Sequence, residues 1–157
     1  MSEESHAEAA RRLVAGTNRG ALATVGLDPS GYPFGSVATY ALDERGRPVV
    51  CMSTLAPHTQ NAAADPRASL LVAEPVAEGS DPLDAGRATL VGDLVPVDGD
   101  ERPAVRALYL AANPAAAGYV DFADFGFWRL EVRSVRYVGG YGRMSWVDPA
   151  DYAAAGS

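Results

Sequence analysis

The stretch that decides the fold is Ser53–Val72, STLAPHTQNAAADPRASLLV. A hydroxyl pair, Ser53 and Thr54, closes one apolar run, and Asp65-Pro66-Arg67 opens the next. Between them, Pro57 suits the first position of a helix, where its missing N–H is one the helix leaves unpaired anyway. The alanines that follow carry that helix to about Ala64. The segment therefore reads as strand, tight turn, short helix and strand, with His58, one of only two histidines, at the helix start.

Upstream, Pro48–Thr54 is returned from Phe34–Leu42 by Asp43-Glu44-Arg45-Gly46, which predicts an antiparallel hairpin. Gly20–Gly26 (GALATVG) is an earlier strand, followed by a turn at Asp28-Pro29-Ser30-Gly31. Residues 4–17 place Leu13, Val14 and alanines at helical spacing. Downstream, Arg67–Glu74 is a fourth strand whose Leu70-Leu71-Val72 run predicts burial on both faces. Residues 75–85 form a loop. Arg87–Val97 is a fifth strand, and Gly92 inside it predicts a bulge or barrel bend. Asp100–Ala112 reads as a helix with Val105, Leu108 and Tyr109 on one face, and Ala115–Tyr119 adds a turn. Phe125–Val132 and Ser134–Val138 form a sixth strand or a bent pair. Gly139-Gly140-Tyr141-Gly142 interrupts before Met144–Val147, and the alanine-rich tail reads as frayed.

Six or seven closely spaced strands with inserted helices predict an α+β, mainly antiparallel barrel rather than a doubly wound sheet. The 157 residues read as one domain, with its core over about 8–147. No G-x-G-x-x-G follows a strand, so a Rossmann site has no support.

Composition narrows the chemistry further. The net charge of −7 argues against a nucleic-acid surface. All 13 basic residues are arginines, which removes Schiff-base and P-loop lysine chemistry. Cys51, the single cysteine, lies in an apolar run and reads as a buried, inert thiol. One cysteine and two distant histidines do not make a familiar zinc set. No apolar run approaches a membrane span, and the acidic N-terminus has no signal-peptide core. A cytoplasmic location is the expectation.

The turn before the short helix has two readings. The amides of His58, Thr59 and Gln60, with the helix dipole, make an anion site. The hydroxyls of Ser53, Thr54 and Thr59 and the His58 ring would complete a phosphate cradle. The same residues also read as an ordinary helix cap, with His58 on the surface.

Five pieces in order over residues 8–147 carry a family resemblance: GALATVG, GYPFGSVATYALDERGRPVV, STLAPHTQNAAADPRASLLVAEP, GRATLVGDLVPV and FWRLEVRSVRYVGGYGR. The chain resembles the pyridoxamine 5'-phosphate oxidase-like FMN-binding split-barrel proteins, in particular their haem-utilisation (HugZ-like) branch. By that resemblance it is expected to lack the extra C-terminal domain that haem-handling members of that branch carry. The resemblance implies a six-stranded split β-barrel with peripheral helices, a homodimer, FMN in clefts between subunits, and an oxidoreductase acting on an unread small molecule. Carried over, Ser36, Val37 and Ala38 run beside the flavin. Ser53, Thr54 and Leu55 hold the ring edge and phosphate side, His58, Thr59 and Asn61 the phosphate, and Arg87 faces the cofactor. The family often has lysine where His58 stands and a basic residue at Gln60, so Arg87, Arg67, Arg12 or Arg143 would have to supply the missing cation. The resemblance also admits haem, with His6 and His58 as the available axial nitrogens, the deazaflavin F420, or a cofactor-free binding module. Trp128, Tyr137, Tyr141 and Trp146 read either as walls of a substrate site or as packing.

Overall fold

A computed structural model describes residues 2–156. The first helix, α1 (His6–Ala15), starts at a capping box. The Ser5 hydroxyl accepts from the Glu8 amide at 3.1 Å, and the Glu8 carboxylate accepts from the Ser5 amide at 2.7 Å. This helix buries Ala7, Ala9, Ala10, Leu13 and Val14. Then come β1 (Arg19–Val25), β2 (Pro33–Leu42), β3 (Pro48–Ser53), α2 (Pro57–Ala64), β4 (Arg67–Ala73) and β5 (Arg87–Val97). They are followed by α3 (Arg102–Ala112), β6 (Phe125–Val138), β7 (Met144–Val147) and α4 (Pro149–Ala154).

All strand pairs are antiparallel. The order β3-β2-β1-β4-β5-β6 closes on itself through β3–β6, giving a six-stranded barrel, while β7 pairs with β6 outside the ring. Closure is possible because β6 is long: residues 125–129 pair with β3 and residues 135–138 with β7. The strand accommodates a register shift opposite Val91 and Gly92. Gly92 is required there, since a Cβ would run into the Glu131 carbonyl oxygen.

The barrel interior holds Leu22, Val50, Leu70, Leu90, Leu130 and Val135, with α1 packed against them. A second buried cluster joins Val105 and Tyr109 of α3 to Ala41, Val49, Val97 and Phe127. In β4 the burial alternates instead of covering both faces. Leu70 and Val72 point inward, but Leu71 is 42% exposed, because a barrel wall has one core face only.

The tail also differs from expectation. Pro149–Ala154 is a helix, not a frayed end, and Tyr152 is 1% exposed. Asp148 caps it by accepting from the Ala150 amide. The Arg11 guanidinium donates to the Tyr152 and Ala153 carbonyls, and the Tyr152 hydroxyl donates to the Gly46 carbonyl at 2.7 Å. Arg11 is thus a staple between helices rather than part of a solvated face. His6 is likewise fixed, its Nδ1 2.6 Å from the Ser145 hydroxyl and its ring tilted against Tyr137.

The opening in the barrel wall lies between β2 and β3. Those strands pair only at residues 40–42 of β2, while residues 33–39 pair with β1 alone. One edge of that half of β2 therefore has no strand beside it. The β3–α2 turn stands across from this edge, and α2 packs against β1 and β2.

Candidate functional site

The turn at the end of β3 is built by its own backbone and one distant acid. Asp124 lies just before β6, where Phe125 is in register with Ser53. The Ser53 hydroxyl donates to the Asp124 carboxylate at 2.6 Å, and the Asp124 carbonyl accepts from the Thr54 amide at 2.8 Å. Ser53 Oγ also accepts from the Leu55 amide at 3.1 Å. The Gln60 side-chain amide donates back to the Thr54 carbonyl. Leu55 is left 78% exposed at the tip.

The helix start offers fewer free amides than the spacing suggests. The amides of Thr59 and Gln60 both donate to the Ala56 carbonyl, at 3.1 and 3.2 Å; His58 supplies the one remaining. The imidazole of His58 is half-buried, with no hydrogen-bond partner among the described residues. Its pKa lies below the ordinary value because burial disfavours the charged ring, so it is neutral at pH 7. Asn61 is 4% exposed; its amide accepts from the Leu27 amide at 3.0 Å and donates to the Thr24 hydroxyl at 3.1 Å. That places Asn61 as a clamp between α2 and the end of β1. The Thr59 and Ser36 hydroxyls are buried with no hydrogen-bond partner among the described residues. Across the opening, Val37 is 80% exposed and Ala38 half-buried.

The sequence-predicted residues therefore fall into three places. Ser53, Thr54, Leu55, His58, Thr59 and Asn61 share the turn and the first turns of α2. Ser36, Val37 and Ala38 lie on the half of β2 that β3 does not cover. Arg87 is elsewhere: it begins β5 opposite Ala73, the far end of β4 from α2, and its guanidinium donates to the Leu83 and Ala85 carbonyls. Arg67 is bound to Asp65, whose carboxyl its hydrogen bonds hold down at about 2, and Arg12 is paired with Glu4.

The aromatic candidates divide too. Tyr137 is buried and Trp128 packs on the core. Trp146 is exposed with Arg136 over its ring, and the Tyr141 hydroxyl donates to Asp81.

Asp124 is the residue that sequence reasoning missed. It is separated from Ser53 by 71 positions, and only the β3–β6 pairing brings them together. Nearby, Phe125 contacts Tyr119 and Phe122, with ring centroids 4.9 and 6.3 Å apart, and Phe122 is exposed. The assembled site has apolar walls, hydroxyl donors, a neutral imidazole and a carboxylate. Arg12, Arg67 and Arg87 are all bound elsewhere.

A closed antiparallel ring opened between β2 and β3 defines a split-barrel protein of the kind that includes the pyridoxamine-phosphate-oxidase-like fold. The chain belongs to the CREG β-barrel family: the family model described as "CREG, beta-barrel" matches residues 1–154. Among curated proteins, the chain is 42% identical over 138 residues to the chloroplastic non-canonical heme oxygenase HOZ of Arabidopsis thaliana, covering 87% of this chain and 41% of HOZ. Among solved structures, it superposes with a TM-score of 0.91 on a heme binding protein from Mycobacterium smegmatis. The two are 47% identical over 98% of this chain and 62% of that one. The chain therefore spans less than two thirds of both relatives. A Clostridium acetobutylicum protein of the pyridoxinephosphate oxidase family shares the fold, with a TM-score of 0.71 at 14% identity over 96% of this chain and 99% of that one.

Proposed function

We propose that this chain binds haem at the opening between the uncovered half of β2 and the β3–α2 turn, and that it does so as a homodimer. The observation that carries this reading is the charge of the turn. A nucleotide phosphate is a dianion at neutral pH and calls for fixed cations. Here the turn offers a neutral His58 and a Ser53 hydroxyl already given to Asp124. Of the arginines that would compensate, Arg12, Arg67 and Arg87 are engaged elsewhere, and the exposed Arg143 lies between β6 and β7, at the other end of β6 from Phe125 and Ser53. FMN is therefore the poorer fit.

A neutral imidazole suits a haem iron, since a metal-binding histidine must be deprotonated. Leu55 and Phe122 offer exposed apolar surface to a macrocycle. Haem, when bound, supplies a redox-active iron; the residues of this chain bind and orient it. The heme-binding Mycobacterium smegmatis relative, at 47% identity, supports the assignment.

The dimer rests on the outer face of the β2-β1-β4-β5 wall. Val37, Ala21 and Leu71 align across three strands there, with Val91 one row further along. All four are exposed in the protomer, and burying such a row is favourable by roughly 25 cal/mol per Å² of apolar surface.

Titrating haemin and, separately, FMN into the apoprotein tests the reading. The expected result is a Soret band that saturates and that His58→Ala shifts or weakens, from a protein that elutes as a dimer. Tight FMN binding with no saturable Soret band overturns it. The identity to HOZ favours one step more, oxidative loss of the bound haem. Decay of the Soret band under oxygen with ascorbate as reductant, in the presence of catalase, tests that step.

A further inference from the structure

We infer that Asp124 is a specificity-determining residue that turns phosphate monoesters away from the β3–α2 turn, so that a ligand enters it apolar edge first. The inference rests on the haem-site reading above and names what selects the ligand. It begins with the acid that stands at the turn itself. Among the described residues, seven acids lie against an arginine, and Asp124 is one of those that do not. Asp124 has no ion-pair partner among the described residues; its side chain is held by a single neutral hydroxyl, that of Ser53.

Its charge is therefore uncompensated, and its position is fixed twice, through the carboxylate to Ser53 and through the carbonyl to the Thr54 amide. That position is the mouth of the turn in which the resemblance would seat a nucleotide phosphate. Two like charges a few ångströms apart repel appreciably even in water, and more so at a partly buried site. A phosphate dianion meets that repulsion with Arg12, Arg67 and Arg87 all engaged elsewhere. Haem differs in where its charge lies. Both carboxylates sit on one edge of the macrocycle, so the opposite, apolar edge can enter beside Leu55 and Phe122 while the carboxylates stay at the solvent rim.

Riboflavin and FMN separate charge from shape, because they share the ring and side chain and differ only in the phosphate. In the full chain, Asp124→Asn is expected to raise FMN affinity relative to riboflavin about tenfold, read by quenching of flavin fluorescence. Asp124→Glu, which keeps the charge, is expected to leave that ratio where it is in the wild type. An unchanged ratio in Asp124→Asn overturns the inference. The wild type gives an independent reading: raising salt screens the repulsion, so FMN should gain on riboflavin as ionic strength rises. A salt-independent ratio overturns the inference even where the variant fails to fold. Haemin binding by the wild type is measured separately. Its absence refutes the haem reading without touching the FMN-to-riboflavin ratio.

Discussion

Replacing Asn61 with alanine distinguishes a clamp from a cofactor ligand. The side chain is 4% exposed and makes two hydrogen bonds, accepting from the Leu27 amide at 3.0 Å and donating to the Thr24 hydroxyl at 3.1 Å. Each such bond is worth ~1 kcal/mol net, and truncation also strands the buried Thr24 hydroxyl, at up to ~2 kcal/mol more, while the amide of the exposed Leu27 can turn to water. The expected loss is roughly 2–4 kcal/mol, a large share of the ~5–15 kcal/mol that holds a domain folded. For a chain of this size it corresponds to a fall in Tm of roughly 4–16 °C. Urea unfolding followed by circular dichroism measures it, and a cycle with Thr24→Val isolates the Asn61–Thr24 part, expected at ~1 kcal/mol. A loss below ~0.5 kcal/mol for Asn61→Ala, together with weakened FMN binding, would refute the clamp and restore Asn61 as a phosphate ligand.

Three further outcomes are expected. Tyr152→Phe removes the bond to the Gly46 carbonyl and should cost ~1–2 kcal/mol, with the C-terminal helix becoming the first site of limited proteolysis; wild-type resistance there would count against α4 as a docked element. Burial pushes the Cys51 thiol up to about 11, so at pH 7.5 its labelling by iodoacetamide should run some two to three orders of magnitude slower than that of a free thiol, and labelling at the free-thiol rate would contradict the packing. Burial lowers the pKa of His58 below the 6.5 of the unfolded chain, so the unfolded state takes up protons first. The contribution of His58 is whole above about 6.5 and is lost as pH falls toward its folded value. His58→Phe should flatten the stability profile between pH 7 and pH 5, and an unchanged slope would refute the assignment.

The fold was legible because its punctuation is local. Pro57 starts α2 at the position its ring favours, and Asp43-Glu44-Arg45-Gly46 returns β2 into β3 with Gly46 at φ 75°. Gly92 marks the shift that lets β5 and β6 bend together. The features that escaped depend on partners distant in the chain. The C-terminal alanines look like a frayed end until Arg11, 141 positions away, is seen donating to the Tyr152 carbonyl. Leu71 resembles a core residue because periodicity within three apolar letters cannot tell an inner from an outer face. The comparison with β1 and β2 does: Leu71 falls in the row of Ala21 and Val37, all turned away from the barrel.

The site divides along the same line, and its electrostatics were the part hidden from a linear reading. The sequence placed hydroxyls, a histidine and a helix start together, as an anion cradle requires, and it counted arginines without being able to say which were free. The decisive facts are pairings. Asp65 takes Arg67 within the turn they share, Leu83 and Ala85 take Arg87, and Ser53 is taken by Asp124 through a strand pairing that spans half the chain. Each is an ordinary contact, yet together they leave Arg67 and Arg87 engaged and a carboxylate at the turn. The residues that suggested a phosphate site in the sequence are thus the ones whose partners the sequence could not show. A neutral imidazole beside the exposed Leu55 is what remains at the turn once those pairings are counted.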